Sequence, residues 1–95
     1  MEDSSILRFQ LAPYASVEPQ AIQMPKGAEV IDAVWQEGRS AFSVYALAKN
    51  AGDGAMETRY FVVRETGASV KSVKHIRTIV MPDGFFVYHV MEVVG

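Results

Sequence analysis

Apolar and polar residues alternate along most of the chain with a period of two, the spacing of a β-strand that buries one face. Gly, Pro, Asn or Asp residues bound each alternating segment, as is typical of strands joined by turns. No long segment keeps the i, i+3, i+4, i+7 spacing of an amphipathic helix. We therefore predict seven strands: Ile6 to Leu11, Ala21 to Met24, Glu29 to Gln36, Ser40 to Ala48, Glu57 to Glu65, His75 to Val80 and Phe85 to Val94.

The segments between the predicted strands contain residues that are typical of turns and loops. Pro25 and Gly27 predict a turn before the third strand. Asp83-Gly84 suits the positive φ angles of a type I′ hairpin turn, which would pair the last two strands. Residues 50–55 are polar and rich in glycine, so we expect an exposed loop, and residues 68–73 are expected to form a brief helical turn or an irregular edge.

The predicted fold is all-β: a small antiparallel β-sandwich or partly closed barrel of about seven strands, mostly sequential hairpin neighbours, with at most one short helical turn. Ser40 to Ala48 is almost continuously apolar, which favours a central strand. In the third strand we expect Ile31, Ala33 and Trp35 to share one face. With 95 residues, the chain is expected to be a single domain over 1–95.

The composition and charge of the chain disfavour several classes of function. The net charge is −2 and the nine basic residues are scattered, so nucleic-acid binding is disfavoured. The absence of cysteine fits a reducing compartment, and the acidic, polar start is unlike a signal peptide. Each apolar stretch is shorter than the roughly 20 residues of a membrane helix. We therefore expect a cytoplasmic protein that does not enter a membrane.

The two histidines, His75 and His89, are the residues on which a catalytic hypothesis depends. Alternation places His89 on the same face as Phe85, Val87, Met91 and Val93, so we expect a histidine of the core or of an interface, with Glu92 on the opposite face. Neither an H-x-H nor an H-x-x-x-H spacing occurs, and glycine-rich nucleotide motifs and a serine nucleophile elbow are missing. We predict no catalytic residue, no metal site and no cofactor.

Binding residues are the stronger candidates. Arg59 and Arg77 are predicted on adjacent strands where, with Lys49 or Lys74, they would form a cationic patch for a small anionic ligand. A thin two-layer domain cannot bury every strand face, so exposed aromatic residues are expected to bind a partner. The predicted ligand or partner residues are Trp35, Tyr45, Arg59, Arg77 and Tyr88. Unpaired sheet edges further predict a homodimer.

Four stretches carry a resemblance to a family of short, uncharacterised bacteriophage proteins over about residues 6–93. They are the Met-Pro-x-Gly-Ala motif within Ile22 to Val30, Glu57-Thr58-Arg59 before Phe61, Thr66-Gly67, and a closing His-Val-x-Glu within Val87 to Glu92. The resemblance implies a phage origin and an infected bacterial host, without an activity.

Three functional hypotheses remain open. The first is a non-catalytic phage accessory protein that occupies a host protein or sequesters a small ligand, with counter-defence as one such role. The second is a small hydrolase or lyase acting on a nucleotide-like substrate, with His75 or His89 as acid or base and Arg59 or Arg77 on phosphate. The third is a minor structural protein of the virion.

Overall fold

The computed structural model describes residues 3–12, 18–49 and 54–95. These residues form seven strands and one 3-10 turn, which confirms the all-β prediction. Most of the predicted loop over 50–55 lies outside the described residues. The strands are β1 (Ser4–Gln10), β2 (Gln20–Pro25), β3 (Glu29–Gln36), β4 (Ala41–Lys49), β5 (Met56–Glu65), β6 (Val73–Val80) and β7 (Val87–Val93).

The strands form two antiparallel sheets that pack as a sandwich. One sheet has three strands in the order β1-β4-β3, and the other has four in the order β2-β5-β7-β6. β4 is central, as its apolar run predicts. Of the five pairings in the described residues, β3–β4 and β6–β7 join successive strands, so the expectation of mostly sequential neighbours is wrong. Within the same residues the sheets do not close into a barrel.

The core lies between the two sheets and draws on both. Phe42 and Val44 of the three-stranded sheet meet Phe61, Val63 and Val90 of the four-stranded sheet in one cluster, and each is at most 1% exposed. Burying a side chain of this size contributes about 1.5–3 kcal/mol, so burial is the main stabilising force. No helix in the described residues is long and apolar enough to cross a membrane.

Two bulges change which side chains share a face. In β3 the register shifts between Val30 and Asp32, so Ile31 is the extra residue and is 47% exposed. Val30 takes its place against the core beside Ala33. The predicted grouping of Ile31 with Ala33 is therefore wrong, because a bulge interrupts the period of two.

The second bulge lies in β6. His75 pairs with Met91 and Arg77 with Val90, so Ile76 is the extra residue between them. Regular alternation would place His75 and Thr78 on opposite faces, because they are three positions apart. The bulge instead puts both on the outer face of the four-stranded sheet, beside His89, which pairs with Thr78.

The hairpin between β6 and β7 is present, but its turn differs from the predicted type. Gly84 N–H donates to Met81 O at 2.8 Å, and Gly84 has φ of 77°. Asp83 does not have a positive φ, as type I′ requires; instead its carboxylate accepts from Phe85 N–H. The 3-10 turn, Glu37–Arg39, connects β3 to β4, whereas residues 68–72 are irregular.

Candidate functional site

The apolar end of the β6–β7 hairpin is the most exposed hydrophobic part of the described chain. Phe85 is 86% exposed, Val80 63% and Phe86 57%. Pro82 lies in the same turn, and Trp35 lines a groove with Val80 and Pro82. Clustered exposed apolar side chains mark interaction sites in soluble proteins. We call Trp35, Val80, Pro82, Phe85 and Phe86 the hairpin-tip surface.

An aromatic stack fixes this surface to the core. Phe86 stacks on Tyr88 with ring centroids 6.4 Å apart and an angle of 14°. Tyr88 then packs edge-on against Phe42, which packs edge-on against Trp35 at 4.9 Å. Trp35 is also held at its polar end, because its indole Nε1 donates to Glu37 Oε2 at 2.8 Å. Ring contacts therefore connect Phe86 and Trp35 to the core residue Phe42.

The groove beside this surface has a volume of about 440 Å³ and lies between the edges of β3 and β6. Ala33, Val34 and Ile79 supply apolar walls, and Arg77 supplies a cation. Arg77 Nη1 lies 3.4 Å from Asp32 Oδ1, with the two side chains 56% and 41% exposed. An ion pair that is this exposed is weak, so Asp32 holds Arg77 only loosely.

Arg59 is held in a different way, inside the opposite end of the sandwich. Its Nε and Nη2 donate to the two carboxylate oxygens of Glu92 at 2.6 and 2.9 Å. Its Nη1 donates to Ala28 O and lies 3.8 Å from Glu57 Oε2. Glu57 Oε2 in turn accepts from Gly27 N–H at 2.8 Å. Arg59 therefore ties the turn before β3 to β5 and β7.

The electrostatics agree with a structural role for this pair. The hydrogen bond to Glu92 raises the pKa of Arg59, burial opposes that shift, and the charges of Glu92 and Glu57 add to it. The guanidinium is therefore always charged. A bidentate arginine–carboxylate pair that is 18% and 12% exposed has little capacity left for a ligand.

The structure does not bring Arg59 and Arg77 together in the predicted cationic patch. β7 separates β5 from β6 in the sheet, so Arg59 and Arg77 are not on adjacent strands. Each arginine has its own carboxylate, Glu92 for Arg59 and Asp32 for Arg77. Lys74 borders the cleft next to Arg59, but Glu29 and Glu92 border it as well. The prediction of adjacency is wrong because sequence order does not give strand order.

The three aromatic candidates are separated by the fold. Trp35 and Tyr88 are joined through Phe42, and both are half-buried. Tyr45 is half-buried too, on the outer face of the three-stranded sheet, where its hydroxyl accepts from Gln36 Nε2 at 3.1 Å. Trp35 and Arg77 line the same groove, so these two predicted residues come together beside the hairpin-tip surface.

A chain of hydrogen bonds links both histidines on the outer face of the four-stranded sheet. Thr78 Oγ1 lies 2.8 Å from His75 Nε2 and 3.0 Å from His89 Nδ1. Thr66 Oγ1 lies 2.9 Å from His89 Nε2. We call Thr66, His75, Thr78 and His89 the His–Thr chain. It borders a small pocket of about 180 Å³.

This arrangement corrects the prediction that His89 is buried in the core. The face of β7 that meets the other sheet carries Tyr88 and Val90, whereas His89 lies on the opposite face and is half-buried. Met91 on that outer face is 7% exposed. The predicted face was wrong because both faces of β7 are rich in apolar residues, so alternation alone cannot say which one meets the core.

Two features were missed by sequence reasoning. Phe85 and Phe86 read as the start of a buried strand, yet β7 begins at Val87 and both phenylalanines lie in the turn. The signal was available, since both residues directly follow Gly84 in the predicted turn. The meeting of His75 with Thr78 had no such signal, because it depends on the bulge at Ile76.

The fold and its surfaces define a small two-sheet β-sandwich with an apolar hairpin end. The chain belongs to the family described as Domain of unknown function (DUF7352), which matches residues 3–95. No curated protein shows a significant match to the chain, and no solved structure does.

Proposed function

We propose that this chain is a non-catalytic binding protein of a bacteriophage, which acts by occupying a protein of the infected host. The observation that carries the proposal is the exposure of Phe85, Phe86 and Val80 together at one end of the sandwich. Exposing two phenylalanines to water is unfavourable unless a partner covers them. The resemblance to short phage proteins supports the phage origin and the host context.

The hairpin-tip surface has the composition of an interaction centre. Aromatic and arginine side chains contribute most of the energy at protein interfaces, and Trp35, Phe85, Phe86 and Arg77 lie at or beside this surface. Phe86 and Trp35 are held by ring contacts, so less flexibility is lost when a partner docks. The partner expected here presents an apolar pocket for Phe85 and a carboxylate for Arg77.

The hydrolase or lyase hypothesis fits the same contacts less well. It requires Arg59 or Arg77 to bind phosphate, but Arg59 already donates to both oxygens of Glu92 and to Ala28 O. Arg77 lines the groove between the edges of β3 and β6, whereas His75 and His89 border a separate pocket that Arg77 does not line. Binding without chemistry is therefore the better account.

Photo-crosslinking tests the proposal in the cell. A photoreactive phenylalanine analogue replaces Phe85 in one variant and Ile6, which is 67% exposed on β1, in a matched control. The expected result is one discrete adduct with a host protein from position 85 and none from position 6. Equal adducts from both positions, or no adduct from either, would contradict the proposal.

A further inference from the structure

Four strands lie at the edges of the two sheets, and three of them have features that hinder pairing with a further strand. β3 and β6 contact each other along one side of the sandwich, and each contains a bulge. β2 ends in Pro25, which has no N–H. Because Lys26 N–H donates to Ala55 O across the sheet, the backbone of Pro25, one position earlier, faces the free edge. Bulges and prolines protect sheet edges in this way.

β1 is the edge strand without such protection in the described part of the chain, since it has neither a proline nor a bulge. Leu11 N–H donates to Phe42 O at 2.8 Å, and the two residues are directly opposite when the register of β1 and β4 is extended by one position. In an antiparallel pair, residues that bond to the neighbouring strand alternate with residues whose N–H and C=O point away from it. The backbone groups that point to the free edge are therefore those of Ser4, Ile6, Arg8 and Gln10.

The two faces of β1 restrict which strand can add to this edge. Leu7 and Phe9 pack against the core. Ile6 and Arg8 lie on the outer face of the sheet, where Ile6 is 67% exposed and Arg8 Nη1 lies 3.4 Å from Ser43 Oγ. Residues directly opposite each other in a sheet share a face. A strand added here must therefore place apolar side chains beside the core and must not place a cation opposite Arg8.

β1 of a second copy of this chain meets both conditions. A two-fold axis that pairs β1 with itself must pass through one residue, because opposite residues share a face. An axis at Arg8 would set two like charges opposite each other, which is unfavourable. Only an axis at Leu7 pairs all four residues that point outward, Ile6 with Arg8 and Ser4 with Gln10.

We propose that β1 is a homodimer interface, in which the β1 strands of two copies pair antiparallel about a two-fold axis at Leu7. The two three-stranded sheets then form one continuous sheet in the order β3-β4-β1-β1-β4-β3. Ile6 of each copy lies opposite Arg8 of the other, whose aliphatic stem covers it. The interface does not include the hairpin-tip surface and does not rest on the proposed function.

Two substitutions at Ile6 test this register by analytical ultracentrifugation. Ile6→Glu places a carboxylate opposite Arg8 of the second copy, and Ile6→Lys places a second cation there, while both keep the backbone N–H and C=O. The unmodified chain should form a dimer, which Ile6→Glu tightens and Ile6→Lys weakens. The two dissociation constants should differ by at least about tenfold, because each substitution acts at two symmetric positions.

The net charge of the chain separates this effect from general repulsion. That charge is −2, so general repulsion rises in Ile6→Glu and falls in Ile6→Lys, which is the opposite order. Val94→Glu and Val94→Lys are the matched controls, at a residue that is 61% exposed and lies outside β1. Their dissociation constants should follow net charge alone.

Single cysteines test the position of the axis in a chain that has none. With the axis at Leu7, the two Leu7 residues form a non-hydrogen-bonded pair with Cα atoms about 4.5 Å apart, within the range of a disulfide. Leu7→Cys should therefore form a covalent dimer on oxidation. Gln10→Cys, at the end of the strand and away from the axis, should not. Circular dichroism shows whether each variant folds.

The photoreactive analogue at position 6 should link two copies of this chain, and the mass of that adduct distinguishes it from a host adduct at position 85. The two proposals can therefore fail separately. A strictly monomeric unmodified chain would overturn the dimer proposal, and so would dissociation constants of the Ile6 variants that follow net charge. A disulfide that forms as readily in Gln10→Cys as in Leu7→Cys, or a host adduct at position 6, would also overturn it.

Discussion

Replacing Arg59 by methionine tests the account of the fold most severely. The change removes the guanidinium that binds both oxygens of Glu92, a carboxylate whose side chain is 12% exposed. It also removes the donor to Ala28 O. Methionine keeps most of the aliphatic volume, so the loss is electrostatic rather than a cavity.

The expected cost is about 3 kcal/mol, because breaking a largely buried ion pair leaves an uncompensated charge. A domain of this size is stable by roughly 5–14 kcal/mol, so this is a large fraction of the total. At about 4–8 °C for each kcal/mol, the Tm should fall by roughly 12–24 °C. Replacing both partners, Arg59→Met with Glu92→Leu, should recover most of the loss, because no buried charge then remains.

Urea unfolding monitored by circular dichroism gives these free energies. Arg77→Met is the matched control, since its pair with Asp32 is 56% and 41% exposed at 3.4 Å and should cost at most about 0.5 kcal/mol. The reasoning fails if Arg59→Met costs no more than Arg77→Met. It also fails if the double replacement is less stable than Arg59→Met alone.

Three further predictions concern pH, backbone strain and assembly. Because the pKa of Arg59 is raised, its contribution to stability is fully present at every pH below the ordinary pKa of an arginine, so the free energy of unfolding of Arg59→Met should differ from that of the unmodified chain by the same amount throughout the neutral range. Gly84→Ala should cost about 1 kcal/mol in thermal unfolding, because φ is 77° there, whereas Gly38→Ala, in equally open space without a positive φ, should cost little. The unpaired edges of the two sheets should produce a homodimer in light scattering at tens of micromolar or above, and a strict monomer would refute this.

Much of the secondary structure follows from the sequence, because alternation is a local property. β3 has the predicted bounds, Glu29–Gln36, and the turn at Gly27 lies where proline and glycine predict it. Strand order is not local. The sheet places β7 between β5 and β6, and only this long-range pairing brings Arg59 to Glu92. Cysteine pairs and metal-binding motifs can indicate long-range contacts in a sequence, and this sequence has neither.

The bulges explain most of what was misassigned within strands. A single extra residue, Ile31 or Ile76, inverts the faces of every position that follows it. In β3, regular alternation groups the exposed Ile31 with Ala33, whereas Val30 is the residue that packs against the core. At Ile76 the same error hides the His–Thr chain. Neither bulge is marked by glycine, so the residues themselves give no warning.

The central claim is that the hairpin-tip surface binds a protein partner, and the affinity of one pair of variants for that partner tests it most directly. Calorimetry measures the affinity of two double variants for the purified host protein that crosslinking recovers. One variant carries Phe85→Ser and Phe86→Ser. The control carries Ile6→Ser and Val94→Ser, at residues that are 67% and 61% exposed. Truncating two aromatic anchors should cost at least about 2.7 kcal/mol, a hundredfold loss of affinity, and the control pair should bind like the unmodified chain. Equal affinity of the two variants would contradict the claim.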